Sequence, residues 1–100
     1  MATLEEITER IALAVGADSG LGKTLKFDLK GAGFIYIDQD KVLNEDLPAD
    51  CTIVVSKENF EKLARRELDP TMALMTGKLK INGDMSVAMR LAPLLAKAGG

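Results

Sequence analysis

Residues 69–94 read DPTMALMTGKLKINGDMSVAMRLAPL, and this stretch decides the fold. Asp69 offers an N-cap acceptor. Pro70 follows at the first helical position, where its missing N–H would have had no partner anyway, so a short helix is expected to start here. Gly77 ends it as the residue that turns left-handed without steric cost. Lys78 to Asn82 then alternates, with Leu79 and Ile81 on one side and Lys78, Lys80 and Asn82 on the other, the pattern of a half-buried strand. Gly83 and Asp84 open a second helix. Its run from Met85 to Leu91 is apolar almost all round, so the helix is expected to be covered on several sides. Pro93 removes a backbone donor and crowds Met89, which predicts an end or kink nearby and leaves Leu94 and Leu95 as an apolar flap or closure.

Met72, Met75, Met85 and Met89, all of the methionines except the first residue, fall in this stretch. A single methionine is most often a core filler. Four of them on two helices flanking one strand point toward a cavity wall, because the unbranched thioether repacks around variable apolar shapes.

Toward the N-terminus the same rules extend the pattern. Ser56 caps a helix whose apolar face is Phe60, Leu63, Ala64 and Leu68. Thr52 to Val55 is β-branched throughout and reads as a central strand. Lys41 to Asn44 is a weaker edge strand, Phe34 to Ile37 a further strand, and Gly31-Ala32-Gly33 a tight turn. From Thr24 the period is two, with Leu25, Phe27 and Leu29 opposed to Lys26, Asp28 and Lys30. Thr3 and Glu6 form a capping-box pair ahead of a helix carrying Ile7, Ile11, Ala14 and Val15. The predicted order is helix, four strands, two helices, strand, helix. That is one α+β domain over residues 1–100, a mainly antiparallel five-stranded sheet with helices on one face.

Composition narrows the function. Apolar residues make up 47%, so a core is expected, and the net charge is −2 with both signs interspersed. Aromatics are only 4%. This excludes the basic, aromatic-bearing surface of a nucleic-acid binder. The chain has no histidine, hence no histidine acid–base chemistry and no His-containing metal site, and neither a metal nor a cofactor is expected. The lone Cys51 forms no internal disulfide. No run reaches the ~20 apolar residues of a membrane span, and MATLEEITER is acidic where a signal peptide is basic. The default is a cytoplasmic domain.

Ala17 to Thr24, ADSGLGKT, matches a relaxed phosphate-loop pattern, and Phe34 to Asp38 resembles the strand that ends in a magnesium-binding aspartate. The chemistry requires strand, loop, then helix, so that loop amides and the helix N-terminus face the phosphates. Here a helix precedes and a strand follows, so the motif reads as a helix-to-strand turn. Asp38 with Asp40, and Glu45 with Asp46, are carboxylate pairs in turn-forming segments, where aspartate usually bonds its own backbone. Lys78 and Lys80 read as the solvated face of a strand. No residues carry catalysis, so the chain is not expected to be an enzyme.

TGKLKINGDMSVAMRL, ADCTIVVSKENFEKL and FDLKGAG together resemble the sterol carrier protein 2 family in sequence and in order, over roughly residues 21 to 92. The resemblance implies a sheet and helices around an apolar tunnel, and binding of fatty acid, fatty acyl-CoA, sterol or phospholipid without catalysis. The chain departs from the eukaryotic members in two places. It lacks their C-terminal tail with a peroxisomal address, and it has Phe34 and Tyr36 where smaller or polar residues are expected.

The residue pattern gives the candidate wall of that tunnel. From the sheet come Phe27, Ile35, Ile37, Val55, Leu79 and Ile81; from the helices come Phe60, Leu63, Leu68, Met72, Met75, Met85 and Met89. The helix around Met85 to Leu94 is the expected lid. Expected partners are a lipid ligand, a lipid-metabolising enzyme and transient membrane contact, with the chain a monomer or weak homodimer. The competing reading is an interaction module that buries the same apolar flank in a dimer and holds no ligand.

Overall fold

A computed structural model describes residues 3–16 and 22–90. The expectations for Pro93, for Leu94 and Leu95, and for most of the ADSGLGK turn lie outside these residues. The elements run α1 (Leu4–Val15), β1 (Leu25–Asp28), β2 (Phe34–Asp38), β3 (Lys41–Leu43), β4 (Cys51–Val55), α2 (Lys57–Ala64), α3 (Pro70–Met75), β5 (Leu79–Gly83) and α4 (Met85–Met89). This is the predicted order. The five strands form one sheet in the order β3-β2-β1-β4-β5. All neighbours are antiparallel except β1 and β4, which pair in parallel with Phe27 opposite Ile53.

The helix starts are those written in the sequence. Thr3 and Glu6 form the reciprocal capping box of α1. Ser56 accepts from the Asn59 amide at the head of α2. Asp69 accepts from the Thr71 amide, with Pro70 behind it, at the head of α3. Asp84 accepts from both the Ser86 amide and the Ser86 hydroxyl at the head of α4.

Strand alternation sorts the sheet into two faces. Leu25, Phe27, Ile35, Ile37, Cys51, Ile53, Val55 and Leu79 are buried, and they form one cluster with Ile7, Ile11 and Val15 of α1, Phe60 and Leu63 of α2, Ala73 of α3 and Val87 of α4. The helices therefore share one face of the sheet. Phe27 meets Phe60 edge to face, with ring centroids 4.9 Å apart and planes at 75°.

The opposite face carries the two aromatics that stand where smaller or polar residues were expected, Phe34 and Tyr36. Lys26 lies across it, with its ammonium 5.7 Å from the centre of the Phe34 ring and 2.6 Å from an Asp46 carboxylate oxygen. Tyr36 is cross-strand partner to Lys26 on one side and to Leu43 on the other, and it is buried. Lys26 thus runs across the Phe34 ring, with its charge met by Asp46.

Candidate functional site

β5 is an edge strand, and the two helices flanking it are short. α3 has six residues and α4 five, too few to span the sheet. Their buried contributions to the core are one residue each, Ala73 and Val87. A helix of 3.6 residues per turn presents only one residue per turn in a given direction, so the rest of each helix faces sideways or outward. Between them, above β4 and β5, runs a groove of about 180 Å³ that is open along one side.

Its floor is Ile53, Leu79 and Ile81, which share one face of the sheet through the Ile53–Ile81 and Val55–Leu79 pairings. Leu63 of α2 closes one end. Pro70, Thr71 and Leu74 form the α3 wall, and Met85, Ala88 and Met89 the α4 wall. Thr71 is the only one of these residues with a polar side chain. Among the described residues that line it there is no charge, no acid–base pair and no ligand set. Among the described residues no group of histidine, cysteine, aspartate or glutamate side chains is placed to hold a metal ion. What such a surface can do is remove hydrocarbon from water.

Five of the thirteen residues named from sequence meet here: Leu63, Leu79, Ile81, Met85 and Met89. Phe27, Ile35, Ile37, Val55 and Phe60 lie deeper, in the closed core, and Leu68 packs against that core from its edge. Met72 and Met75 are not brought to the groove. They point outward from α3 and are 53% and 77% exposed. The i, i+3 pair that faces the groove is Thr71 with Leu74, one position earlier in the helix, and Leu74 was readable only as part of a short apolar run. Ile53 and Ala88 also line the groove. Ile53 lies in the β-branched run that reads as a central strand, whereas Ala88 carried no signal of its own.

Full cover for α4 is a second expectation that the structure corrects. Only Val87 is buried, while Met85 is 51% and Met89 80% exposed. The apolar girth of α4 faces the core on one side and the groove on the next, and no element of the described residues covers the remainder.

α4 is held instead by polar groups at its first residue. The Lys23 ammonium binds the Asp84 carboxylate, and the Asp84 amide donates to the Asp50 carbonyl at 2.9 Å. Asp50 in turn accepts from the amide and hydroxyl of Thr24, both at 2.9 Å, and its own amide donates to the Thr24 hydroxyl oxygen. These contacts join the starts of β1, β4 and α4. The hydrogen bond from Lys23, followed by those from Ser86, holds the Asp84 carboxyl far below the usual carboxylate range. The Thr24 bonds lower that of Asp50, and Asp84 raises that of Lys23.

The same contacts dispose of the phosphate-loop reading. The lysine and the hydroxyl that would meet a nucleotide, Lys23 and Thr24, are already bound to Asp84 and Asp50. The neighbouring hollow also includes Asp38, a carboxylate that would repel phosphate.

Burial, and to a lesser degree the nearby Asp84, pushes the Cys51 thiol up, and its side chain is fully buried. Such a thiol is a poor nucleophile. Among the described residues no helix is long and apolar enough to cross a membrane.

Comparison with known proteins gives a consistent picture. The sequence profile of the SCP-2 sterol transfer family matches residues 5–96. Hydroxysteroid dehydrogenase-like protein 2 of Danio rerio is 39% identical over 79 residues, which is 71% of this chain and 19% of that protein. Among solved structures, sterol carrier protein 2 like 2 of Aedes aegypti superposes with a TM-score of 0.76 at 27% identity, covering 89% of this chain and 93% of that one. The palmitated form of SCP2L2 from the same organism superposes with a TM-score of 0.70 at 25% identity, covering 95% and 96%. The chain spans about a fifth or less of the curated relatives it matches.

Proposed function

The chain belongs to the SCP-2 sterol transfer family, and on that premise we propose that it binds lipid (fatty acid, fatty acyl-CoA, sterol or phospholipid) in the groove between α3, β5 and α4 and transfers it without catalysis. The observation that carries this reading is the groove itself, an apolar trough left open between α3, β5 and α4, beside the buried cluster of the core. A solved relative that superposes over nearly the whole chain is palmitated, which supports an acyl chain as occupant.

The energetics are adequate. Each methylene taken out of water contributes about 0.8 kcal/mol. Sixteen carbons then give on the order of 12 kcal/mol gross, from which the costs of association and ordering are subtracted. A net affinity near micromolar needs only about 8 kcal/mol. Selectivity among chain lengths should be weak, since one methylene changes binding little in an apolar pocket.

The size of the groove adds a condition. An apolar cavity of roughly 150 Å³ accommodates a guest the size of benzene. At about 180 Å³ the groove takes a segment of a chain, so a whole acyl chain requires α4 to move away from α3. α4 suits that motion, because it is short, buries one residue, Val87, and is tied by polar contacts at its N-cap, Asp84. The helix ending at Met89 is the mobile wall of this proposal. A lipid-metabolising enzyme or a membrane surface is the partner from which cargo arrives or to which it goes.

The exposed side chains of Leu74, Met75 and Met89 favour the second reading, a ligand-free dimer that covers this flank. Native mass spectrometry of the chain after mild purification separates the two. A monomer carrying a mass adduct that extracts into organic solvent and fragments as a lipid is the expected result. A bare dimer, with nothing extractable, would sink the carrier reading.

A further inference from the structure

We propose that Met85 and Met89 are a modification site, an oxidisable rim whose conversion to methionine sulfoxide makes the groove release its lipid. The inference rests on the lipid-binding reading above and adds a chemical control to the same site. It starts from where the sulfur atoms lie. Among the described residues there are five: the thiol of Cys51 and the thioethers of Met72, Met75, Met85 and Met89. Cys51 is fully buried at the start of β4. The four methionines are all exposed, and two of them, Met85 and Met89, stand one turn apart on α4 as part of the groove wall. An oxidant in solution therefore meets groove thioethers before it meets the thiol.

The oxidant is hydrogen peroxide. A lone pair on the methionine sulfur attacks one peroxide oxygen, the S–O bond forms and the O–O bond breaks. The departing hydroxide takes the proton of the transferred oxygen and leaves as water. Sulfur loses two electrons and the peroxide gains them. The product carries a strongly polar S–O bond on a side chain that was apolar. Among the described lining residues only the Thr71 hydroxyl is available as a side-chain donor. A lipid lying over Met85 and Met89 would strip water from two sulfoxide oxygens that find no replacement, and that cost is charged to binding.

Met72 and Met75 supply a control within the molecule. They are as exposed as the groove pair but point away from it. Trypsin separates the two pairs. Cleavage after Arg66, Lys78, Lys80 and Arg90 puts Met72 and Met75 in ELDPTMALMTGK and Met85 and Met89 in INGDMSVAMR.

The test uses the full chain, stripped of lipid, treated with hydrogen peroxide in the presence and absence of palmitate. Sulfoxide is counted in the two peptides, and affinity for a fluorescent fatty acid is measured before and after. Palmitate is expected to slow oxidation of residues 81–90 several-fold and to leave residues 67–78 unaffected. Oxidation of Met85 and Met89 is expected to weaken binding roughly tenfold, about 1.4 kcal/mol, and methionine sulfoxide reductases are expected to restore it. The Met72→Leu/Met75→Leu chain should keep this sensitivity. The Met85→Leu/Met89→Leu chain should show the same affinity after peroxide as it had before. Equal affinity before and after complete oxidation of Met85 and Met89 overturns the rim and leaves the carrier reading standing. So does a peroxide-induced loss that persists in the Met85→Leu/Met89→Leu chain. A lipid-stripped chain that fails to bind the fluorescent fatty acid before any peroxide is added overturns both.

Discussion

In the middle of the sheet, β1 and β2 disappear beneath α1 and α2; at its β5 edge, the sheet meets two helices of six and five residues that leave its flank partly bare. Both regions are built from the same residue types at the same strand period. The difference lies in helix length. Twelve residues of α1 deliver Ile7, Ile11 and Val15 to the core along one stripe, whereas α3 and α4 deliver one residue apiece. Stability should therefore be concentrated in the first region and ligand response in the second. Each measurement below tests that division.

The largest effect is expected in the closed region. Phe27 is fully buried and stacked edge-on against Phe60. Phe27→Ala leaves a cavity that the short strand cannot collapse into. It should cost about 3–5 kcal/mol, enough to unfold much of a domain this small. Urea denaturation of the parent and variant measures it. A loss below about 1 kcal/mol would mean that the core is not where stability resides.

A backbone change at the boundary should come next. Gly83 ends β5 at a φ of 111°, and a Cβ built there would lie 2.3 Å from the Asp50 carbonyl oxygen and 3.1 Å from the Cys51 Cα. Both are main-chain atoms of the neighbouring strand, so neither can swing aside. Gly83→Ala must break the Cys51–Gly83 pairing or strain both strands, with an expected cost of roughly 2–3 kcal/mol. Because Asp84 follows at once, this variant should also weaken lipid binding, which Phe27→Ala should do only through unfolding. Thermal melts paired with fluorescent fatty-acid titrations distinguish the two.

In the open region, stability and binding should separate. Met89 is exposed, so Met89→Arg should shift the melting temperature little while weakening fatty-acid affinity about tenfold, because an acyl chain cannot lie against an unpaired guanidinium. Met75→Arg, equally exposed but off the groove, is the matched comparison and should leave affinity within about twofold. If the two variants bind alike, the groove is not the site.

How much of this division was legible follows from which signals are local. Strand alternation placed Leu25, Phe27, Ile53, Leu79 and Ile81 on one face, and the capping residues Thr3, Ser56, Asp69 and Asp84 placed the helix starts, because both depend on neighbours within four residues. The parallel pairing of β1 with β4 had no such signal; register between strands more than 20 residues apart is decided by the whole core. The orientation of α3 was equally hidden. Thr71 with Leu74 and Met72 with Met75 have the same spacing, and hydrophobicity favoured the pair that ended up outside. For α4 the apolar run was read as a helix needing cover, since composition does not distinguish a buried wall from a lining one. The contact between Lys23 and Asp84 spans 61 residues and gave no sign in the pattern of either segment.

That contact carries the smallest effect. The carboxyls of Asp84 and Asp50 are held below their usual range by hydrogen bonds from Lys23 and Thr24 respectively. Groups of this kind contribute stability that is fully present above the unfolded carboxylate pKa, about 4, and is lost as pH falls below it toward the depressed folded values. Lys23 acts in the opposite sense. Its raised pKa contributes stability that is complete below the ordinary lysine value and fades as pH rises past it. The start of α4 should therefore be firmly held from about pH 4 to about pH 10 and loosen outside that window. Lys23 and Asp50 are solvent-exposed and Asp84 is partly so, so salt should weaken the effect further. An uncharged fluorescent alkyl probe is the right reporter, because a fatty acid would itself titrate near the lower limit. Its affinity should hold across the window and change below pH 4, while Lys23→Met should already show that change at pH 7. An affinity in the Lys23→Met chain that matches the parent at every pH would mean that α4 keeps its place without the Lys23 ammonium, and that the open flank does not need this ion pair to keep its shape.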